Sequence, residues 1–286
     1  MKISMNIKNK ILLFGGEGFI GRNIAAELTT GSSCFSLGTK ETIFNLDRVD
    51  VFIKGNPYED KINEKFDVYV HLIDNQVADD DFEKEELKLI ENIGFIAGSH
   101  LIIFSSAVIY ANPDSPYAKR KIKLEDIYEN YCAKHNINLT IFRLFNIYGK
   151  FQIPYRQGSL IANILFNYQN DIKIEINDMN AERDFIYAGD MAKLVRWVIE
   201  NKFYGKIDLA TGKLISIMEL LSICKDNIFS KDVDIIDKNN IESNVCPLGN
   251  SFLSEKTELI PLKDGLTETL NFYEQNLNVI KKYLNI

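Results

Sequence analysis

Three side chains that lie close together in the sequence could move a proton: the hydroxyl of Ser106, the phenol of Tyr117 and the ammonium of Lys121. A phenol with an ordinary pKa of about 10 is a poor base at neutral pH, and a neighbouring ammonium favours the phenolate. A serine hydroxyl beside them could hold a carbonyl or hydroxyl oxygen of a substrate. These residue types therefore indicate proton transfer to or from a substrate oxygen.

The surrounding segment predicts the elements that would position these groups. Residues 101–104 (LIIF) have the length and composition of a strand buried on both faces, with Ser106 at its carboxyl end. Open α/β sheets bind their ligands at that end of the strands. Ser115–Pro116 predicts the N-cap and first residue of a helix. On that helix Tyr117 and Lys121 are four residues apart and project from one face.

A Tyr-Lys pair at this spacing is, by itself, more often structural: a half-buried ring beside a solvated amine. Two observations favour the chemical interpretation here. The pair follows a predicted buried strand that ends in two serines, and a nucleotide-binding pattern lies upstream.

That upstream pattern is a glycine-rich turn. Gly15, Gly18 and Gly21 follow G-x-x-G-x-x-G between a predicted strand at 11–14 and a predicted helix that continues through residue 28. Such glycines permit a tight turn and let backbone N–H groups approach a pyrophosphate at the helix N-terminus. Phe19 and Ile20, inside the motif, belong to the same predicted cofactor site.

The cofactor preference is predicted from the end of the second strand, residues 34–37. NAD-specific sites often place a carboxylate there for the ribose hydroxyls, but none occurs before Glu41. Ser36, Thr39 and Lys40 could instead receive a 2′-phosphate. The sequence therefore favours NADP, with NAD as the alternative, although a lysine after a strand is also ordinary on a surface.

Composition excludes several function classes. The 286 residues carry a formal charge of -7 and no basic block, which argues against a nucleic-acid partner. The four cysteines form no CxxC pair and the three histidines no ligand pattern, so we expect reduced thiols, a cytoplasmic protein and no metal. No apolar stretch approaches the length of a membrane span, and the run at 11–14 is too short for a signal peptide.

Predicted strands and helices alternate along the chain. Further strands are expected at 67–73, 138–142 and 206–210, with helices between them. Alternation of this kind predicts an α/β fold, a Rossmann-type doubly wound parallel sheet. From Lys150 the pattern changes to a polar loop and an apolar helix, as expected for a smaller lobe.

The chain resembles the extended short-chain dehydrogenase/reductases, the family of nucleotide-sugar epimerases, dehydratases and 4-ketoreductases. The resemblance covers nearly the whole length and is carried by several motifs in the same order. They are GGEGFIG at 15–21, HL at 71–72, SSAVIY at 105–110, YAKRK at 117–121, RLFNIYG at 143–149, RDFIYAGDMA at 183–192, LATGKLISIMEL at 209–220 and GLTETLNFY at 265–273.

The resemblance implies a role for each matching residue. Ser106 matches the catalytic serine or threonine, and Tyr117 matches the acid/base. Lys121 matches its partner, which also holds the nicotinamide ribose. Asn146 matches a residue that contacts the nucleotide-sugar, and Arg183 matches an arginine near the substrate diphosphate. Asn146 could also cap a turn, and Arg183 could pair with a neighbouring aspartate.

Several positions depart from the family pattern. The Asp-Glu pair with which dehydratases move protons is replaced by Ala107–Val108, which disfavours sugar 4,6-dehydration. The connection from Ser106 to Tyr117 is short, as in abequose-synthase-like 4-ketoreductases. No arginine follows Arg196, so diphosphate binding would rely on Arg183, with Lys150 or Arg156 as candidate helpers. Asp74 replaces a small residue expected after the HL pair.

These observations predict an NADP-dependent reductase that acts at C4 of a nucleotide-linked 4-keto-6-deoxy sugar. The alternative is an NAD-dependent 4-epimerase, and a distant one is a non-catalytic cofactor-binding protein. We expect residues 1–149, with 181–213 returning to them, to form the dinucleotide-binding domain. Residues 150–180 and 214–286 would form the substrate lobe. The oligomeric state stays open, with a homodimer as one option.

Overall fold

The structure, a computed structural model, describes residues 9–28, 32–39, 44, 50–74, 79–156, 158–240 and 247–286. Its strands are β1 (Lys10–Phe14), β2 (Ser33–Gly38), β3 (Val51–Lys54), β4 (Val68–His71), β5 (His100–Ser106), β6 (Asn138–Leu144), β7 (Asn146–Tyr148), β8 (Ile174–Ile176), β9 (Glu182–Arg183), β10 (Phe185–Tyr187), β11 (Gly205–Leu209), β12 (Ile215–Ser216) and β13 (Ile235–Asp237). Its helices are α1 (Phe19–Leu28), α2 (Asp79–Ile93), α3 (Val108–Ala111), α4 (Pro116–His135), α5 (Leu160–Gln169), α6 (Ala188–Asn201), α7 (Ile217–Asn227), α8 (Phe252–Lys256) and α9 (Leu262–Leu284).

The central element is a seven-stranded sheet in the order β11-β6-β5-β4-β1-β2-β3, with parallel pairing throughout. The chain proceeds outward from β1 to β3 and then returns to place β4 on the other side of β1. The strand order therefore reverses between β1 and β4, where the strand ends leave a crevice for a ligand. The predicted Rossmann-type fold is confirmed.

Strand β1 shows why the sheet is covered on both faces. Ile11 and Leu13 belong to a core cluster that also contains residues of α1 and α6. Leu12 and Phe14 belong to a second cluster with residues of α2 and α4. Because successive side chains of a strand point to opposite faces, a continuous apolar run can only be buried between two helical layers.

A third apolar cluster packs helices α5, α7 and α9 together. It draws most of its buried residues from the chain after Tyr148, although Phe44 joins it from the N-terminal part. The small parallel pair of β8 and β13 contributes Ile174 and Ile176. The predicted division into a dinucleotide-binding domain and a substrate lobe stays a proposal.

Local structure departs from the sequence-based expectations at several positions, three of them in the first 111 residues. The strand expected at 67–73 ends at His71, and residues 72–74 lie in a loop. Strand β3 was not predicted, because it is a short edge strand whose residues are half-buried or exposed. Helix α3 lies where only a turn was expected, since a single helical turn leaves no periodic apolar pattern.

Gly21 provides a test of the packing at the glycine-rich turn. A Cβ at Gly21 would lie 2.5 Å from Cα of Gly16, whereas at Gly18 the nearest atom would be the Gly15 carbonyl oxygen at 3.3 Å. Gly21→Ala should therefore lower the free energy of unfolding by about 1–3 kcal/mol, the usual cost of overpacking. Thermal unfolding of both variants measures this, with Gly18→Ala as the control. Equal melting temperatures for Gly21→Ala and wild type would contradict it.

Candidate functional site

Helix α4 begins where the sequence predicted and carries two of the three candidate side chains. The Ser115 hydroxyl accepts a hydrogen bond from the backbone N–H of Ala118 at 3.2 Å, and Pro116 is the first helical residue. A polar N-cap of this kind satisfies one donor of the first turn and fixes where the helix starts. Tyr117 and Lys121 therefore lie one turn apart, close to the end of β5.

An ion pair attaches the same helix to the neighbouring strand β6. The guanidinium of Arg143 donates two hydrogen bonds to the Glu125 carboxylate, at 3.0 and 2.7 Å. Burial raises the pKa of the Glu125 carboxyl, but the hydrogen bonds and charge of Arg143, together with hydrogen bonds from Ser105 and Lys206, outweigh it and hold that pKa below its ordinary value. Bidentate pairs are geometrically demanding, so this contact restricts how α4 can shift along the sheet.

Lys121 is buried, and its ammonium contacts three groups. Nζ donates to the Asp74 carboxylate at 3.1 Å and to the Phe104 carbonyl at 3.5 Å. It also lies 5.5 Å from the ring centroid of Tyr117. The ammonium is thereby positioned beside the phenol, as the proton-transfer hypothesis requires.

Ser106 ends strand β5 and is half-buried. Its Oγ accepts a hydrogen bond from the backbone N–H of Val108 at 3.2 Å, across the start of the short helix α3. A hydroxyl that accepts this bond keeps its own proton for a second partner. Ser106 can therefore donate to an oxygen held in front of the strand.

Two adjoining cavities open at the strand ends. The first, here called the strand-end cavity, has a volume of about 310 Å³ and contains Ser106, Tyr117 and Lys121 in its wall. The second, here called the Arg183 cavity, has a volume of about 210 Å³. Both are lined by Ser106, Leu144, Phe145 and Asn146. The predicted catalytic and substrate residues thus meet at one place.

The glycine-rich turn adjoins the strand-end cavity, since Phe19 and Ile20 also line it. Gly15 adopts a positive φ of 88°, and the turn continues directly into α1. Gly18 is exposed, so a ligand can reach its backbone from solvent. This turn and the cavity beyond it fit the pyrophosphate and the nicotinamide half of a dinucleotide, respectively.

A charged pair lies beneath this turn. The Glu17 carboxylate is 3.7 Å from the Arg22 guanidinium, and both side chains are largely buried. Burial lowers the pKa of Arg22, and the charge of Glu17 opposes this. The pairing offsets the negative charge that Glu17 would otherwise place beside a bound pyrophosphate.

The position of the residues proposed to bind a 2′-phosphate is less defined. Thr39 is exposed just after β2, and Lys40 lies outside the described residues.

The Arg183 cavity brings Arg183 and Asn146 together. Strand β7, which begins at Asn146, pairs with β10, two residues beyond Arg183. Arg183 donates to the Glu182 carbonyl at 2.8 Å, and its side chain lines the cavity. The carboxylate of the adjacent Asp184 accepts hydrogen bonds from the backbone of Thr211 and Gly212, each at 2.8 Å. Asp184 therefore anchors that loop.

The two candidate helpers of Arg183 lie elsewhere. Lys150 pairs with Glu268 at 2.6 Å, and Arg156 contacts the Tyr283 hydroxyl near the end of α9. Neither is among the residues that line the Arg183 cavity. The structure gives no support to their assignment from the sequence, because both pairings are made with the last helix.

One charged residue in the strand-end cavity had no predicted role. Asp74, noted in the sequence only as a departure from the family pattern, lines the cavity and contacts Lys121. The buried His71 ring also lines it and bonds to Glu86 at 3.1 Å. Burial raises the pKa of Glu86, but the bonds and charge of His71, with bonds from Tyr128 and Tyr58, hold that pKa below its ordinary value.

Comparisons with known proteins agree with this geometry. Residues 98–209 match the model of the NAD dependent epimerase/dehydratase family. A Methanocaldococcus jannaschii protein whose name proposes UDP-glucose 4-epimerase activity is 27% identical over 310 residues, covering 93% of this chain and 99% of that protein. A Pseudomonas aeruginosa UDP-2-acetamido-2,6-beta-L-arabino-hexul-4-ose reductase is 24% identical over 208 residues, covering 70% of this chain and 52% of that enzyme.

Among solved structures, the Bordetella bronchiseptica enzyme WbmF in complex with NADH superimposes with a TM-score of 0.79. It is 19% identical and the match covers 99% of this chain and 97% of that one. This likeness shows that the two share a fold.

Among the described residues, no helix has both the length and the apolar character that a membrane span requires.

Proposed function

Because residues 98–209 match the model of the NAD dependent epimerase/dehydratase family, we propose that the chain belongs to this family and transfers hydride at C4 of a nucleotide-linked sugar. The favoured reaction is reduction of a 4-keto-6-deoxy sugar. One observation carries the proposal: Ser106, Tyr117 and Lys121 line the cavity that leads from the glycine-rich turn. Ser106 and Asn146 line both this cavity and the adjoining one that contains Arg183.

Each residue has a defined task in this reaction. The reduced nicotinamide, when bound, supplies the hydride. Tyr117 donates a proton to the oxygen on C4 as that oxygen gains charge, and Lys121 stabilises the phenolate left behind. Ser106 donates a hydrogen bond to the same oxygen and orients it. The short connection from Ser106 to Tyr117 is compatible with this, because both side chains line one cavity.

Residues beside Ser106 argue against dehydration. Ala107 and Val108 line the Arg183 cavity, where a dehydratase of the family would carry its Asp-Glu pair. Neither side chain can take or give a proton. The site therefore supports oxidation and reduction of the sugar without elimination of water.

The second candidate is a 4-epimerase, favoured by the similarity to the Methanocaldococcus jannaschii protein over nearly the whole chain. An epimerase would use the same three residues and return the hydride to the opposite face of the sugar. It would retain bound NAD through purification and show no net cofactor turnover. A reductase would release its oxidised cofactor after each cycle.

NADP is the proposed cofactor, on the sequence evidence of Lys40 and the missing carboxylate after β2. NAD is the alternative, and WbmF was solved with NADH. We expect NADP to bind more tightly than NAD, and Lys40→Ala to remove the difference. Titration of both dinucleotides into the apo protein measures this. Tighter binding of NAD, unaffected by Lys40→Ala, would contradict the preference.

Arg183 should carry much of the contact with the substrate diphosphate. Bidentate hydrogen bonds from a guanidinium to phosphate cannot be reproduced by a lysine. Arg183→Ala and Arg183→Lys should both raise KM for the nucleotide sugar and leave the cofactor Kd unchanged. Arg156→Ala is the matched control, because Arg156 is exposed and contacts Tyr283. An unchanged KM for Arg183→Ala would make this arginine structural.

Tyr117→Phe tests the chemistry directly. The substitution removes one hydroxyl and keeps the ring, so folding and cofactor binding should persist. Turnover should fall by about 10²- to 10⁴-fold, the usual contribution of a general acid. Ser106→Ala should reduce turnover less, because it removes an orienting hydrogen bond. The measurement is NADPH oxidation with a panel of 4-keto nucleotide sugars; equal rates for wild type and Tyr117→Phe would refute the assignment.

A further inference from the structure

We propose that Asp74 balances the charge of Lys121 in the strand-end cavity, and that this balance sets the relative affinity for the oxidised and reduced forms of the nicotinamide cofactor. The inference rests on the proposed function only in placing the nicotinamide half of the cofactor in this cavity. It concerns binding and does not depend on which sugar is the substrate.

The contact between the two residues is direct. The Asp74 carboxylate lies 3.1 Å from Nζ of Lys121, whose side chain is only 8% exposed. Asp74 itself is 42% exposed and follows β4, at the point where the strand order reverses. One partner thus lies deep in the cavity and the other at its mouth.

The charges of the cavity wall are few. Among the described residues that line it, the acidic and basic side chains other than His71 are Asp74 and Lys121. The buried His71 ring also lines the cavity, but it is paired with the buried Glu86 carboxylate behind the wall. The pair as it stands is neutral overall, whereas the cavity without the Asp74 carboxylate would present a single ammonium.

The two oxidation states of the cofactor respond differently to that ammonium. The oxidised nicotinamide ring carries a positive charge, whereas the reduced ring is neutral. An uncompensated Lys121 would therefore repel the oxidised ring and leave the reduced ring nearly unaffected. Between partly buried unit charges several ångströms apart, and after screening by solvent, such repulsion changes a binding constant by roughly three- to tenfold.

A charge at position 74 has a consequence for either reaction, because a small neutral residue is expected there from the family pattern. For a reductase, a carboxylate at Asp74 limits how strongly the site prefers the reduced cofactor. For an epimerase, it helps the site hold the oxidised cofactor that must start each cycle. In either reaction Asp74 acts on the cofactor through charge.

The test compares dissociation constants for the oxidised and reduced forms of whichever dinucleotide binds wild type more tightly. Asp74→Asn should raise the ratio of the oxidised to the reduced Kd by about three- to tenfold. Lys121→Met should lower the same ratio, because it leaves the carboxylate uncompensated, even if both affinities fall. ADP, which lacks the nicotinamide, should bind Asp74→Asn and wild type equally.

Glu83→Gln is the matched control. Glu83 forms an exposed ion pair, at 2.7 Å, with Lys123, which lies on the same helix as Lys121. Its Kd ratio should equal that of wild type. An unchanged ratio in Asp74→Asn would overturn the inference, as would an equal loss of affinity for both forms and ADP in that variant. Failure of wild type to bind either dinucleotide would overturn the proposed function together with it.

Discussion

The site depends on the contacts that compensate the buried ammonium of Lys121. Burial of a charged group costs several kcal/mol unless partners compensate it. Here they come from two strand ends, the Phe104 carbonyl of β5 and the Asp74 carboxylate after β4. Because Lys121 belongs to α4, satisfying its charge also fixes that helix against the sheet. Tyr117, one turn earlier, is held at the edge of the crevice by the same constraint.

Two cavities with a common wall explain how one edge of the sheet can serve two ligands. The strand-end cavity continues from the glycine-rich turn, and the Arg183 cavity opens toward the residues after β7. Ser106 and Asn146 border both. A reaction that passes hydride from one molecule to another needs such a boundary, since the reacting atoms must meet while their remaining parts bind apart.

Local patterns predicted what local forces determine. The apolar run at 101–104, the Ser115 cap and the spacing of Tyr117 and Lys121 each depend on neighbouring residues, and the strand and helix formed as expected. Contacts between residues that are far apart in the sequence could not be predicted from local patterns. The Asp74–Lys121 pair and the attachment of Lys150 to Glu268 arise only from tertiary packing. Asn146 and Arg183 were connected through the family resemblance alone.

The central claim is that hydride passes from the nicotinamide to C4 of the sugar at the wall between the two cavities. Reduced cofactor deuterated at nicotinamide C4, incubated with an accepted 4-keto nucleotide sugar, tests it most directly. Mass spectrometry and proton NMR of the product would locate the label. The account predicts one deuterium at C4 of the sugar for each cofactor oxidised. A product without deuterium, or with deuterium at another carbon, would contradict it.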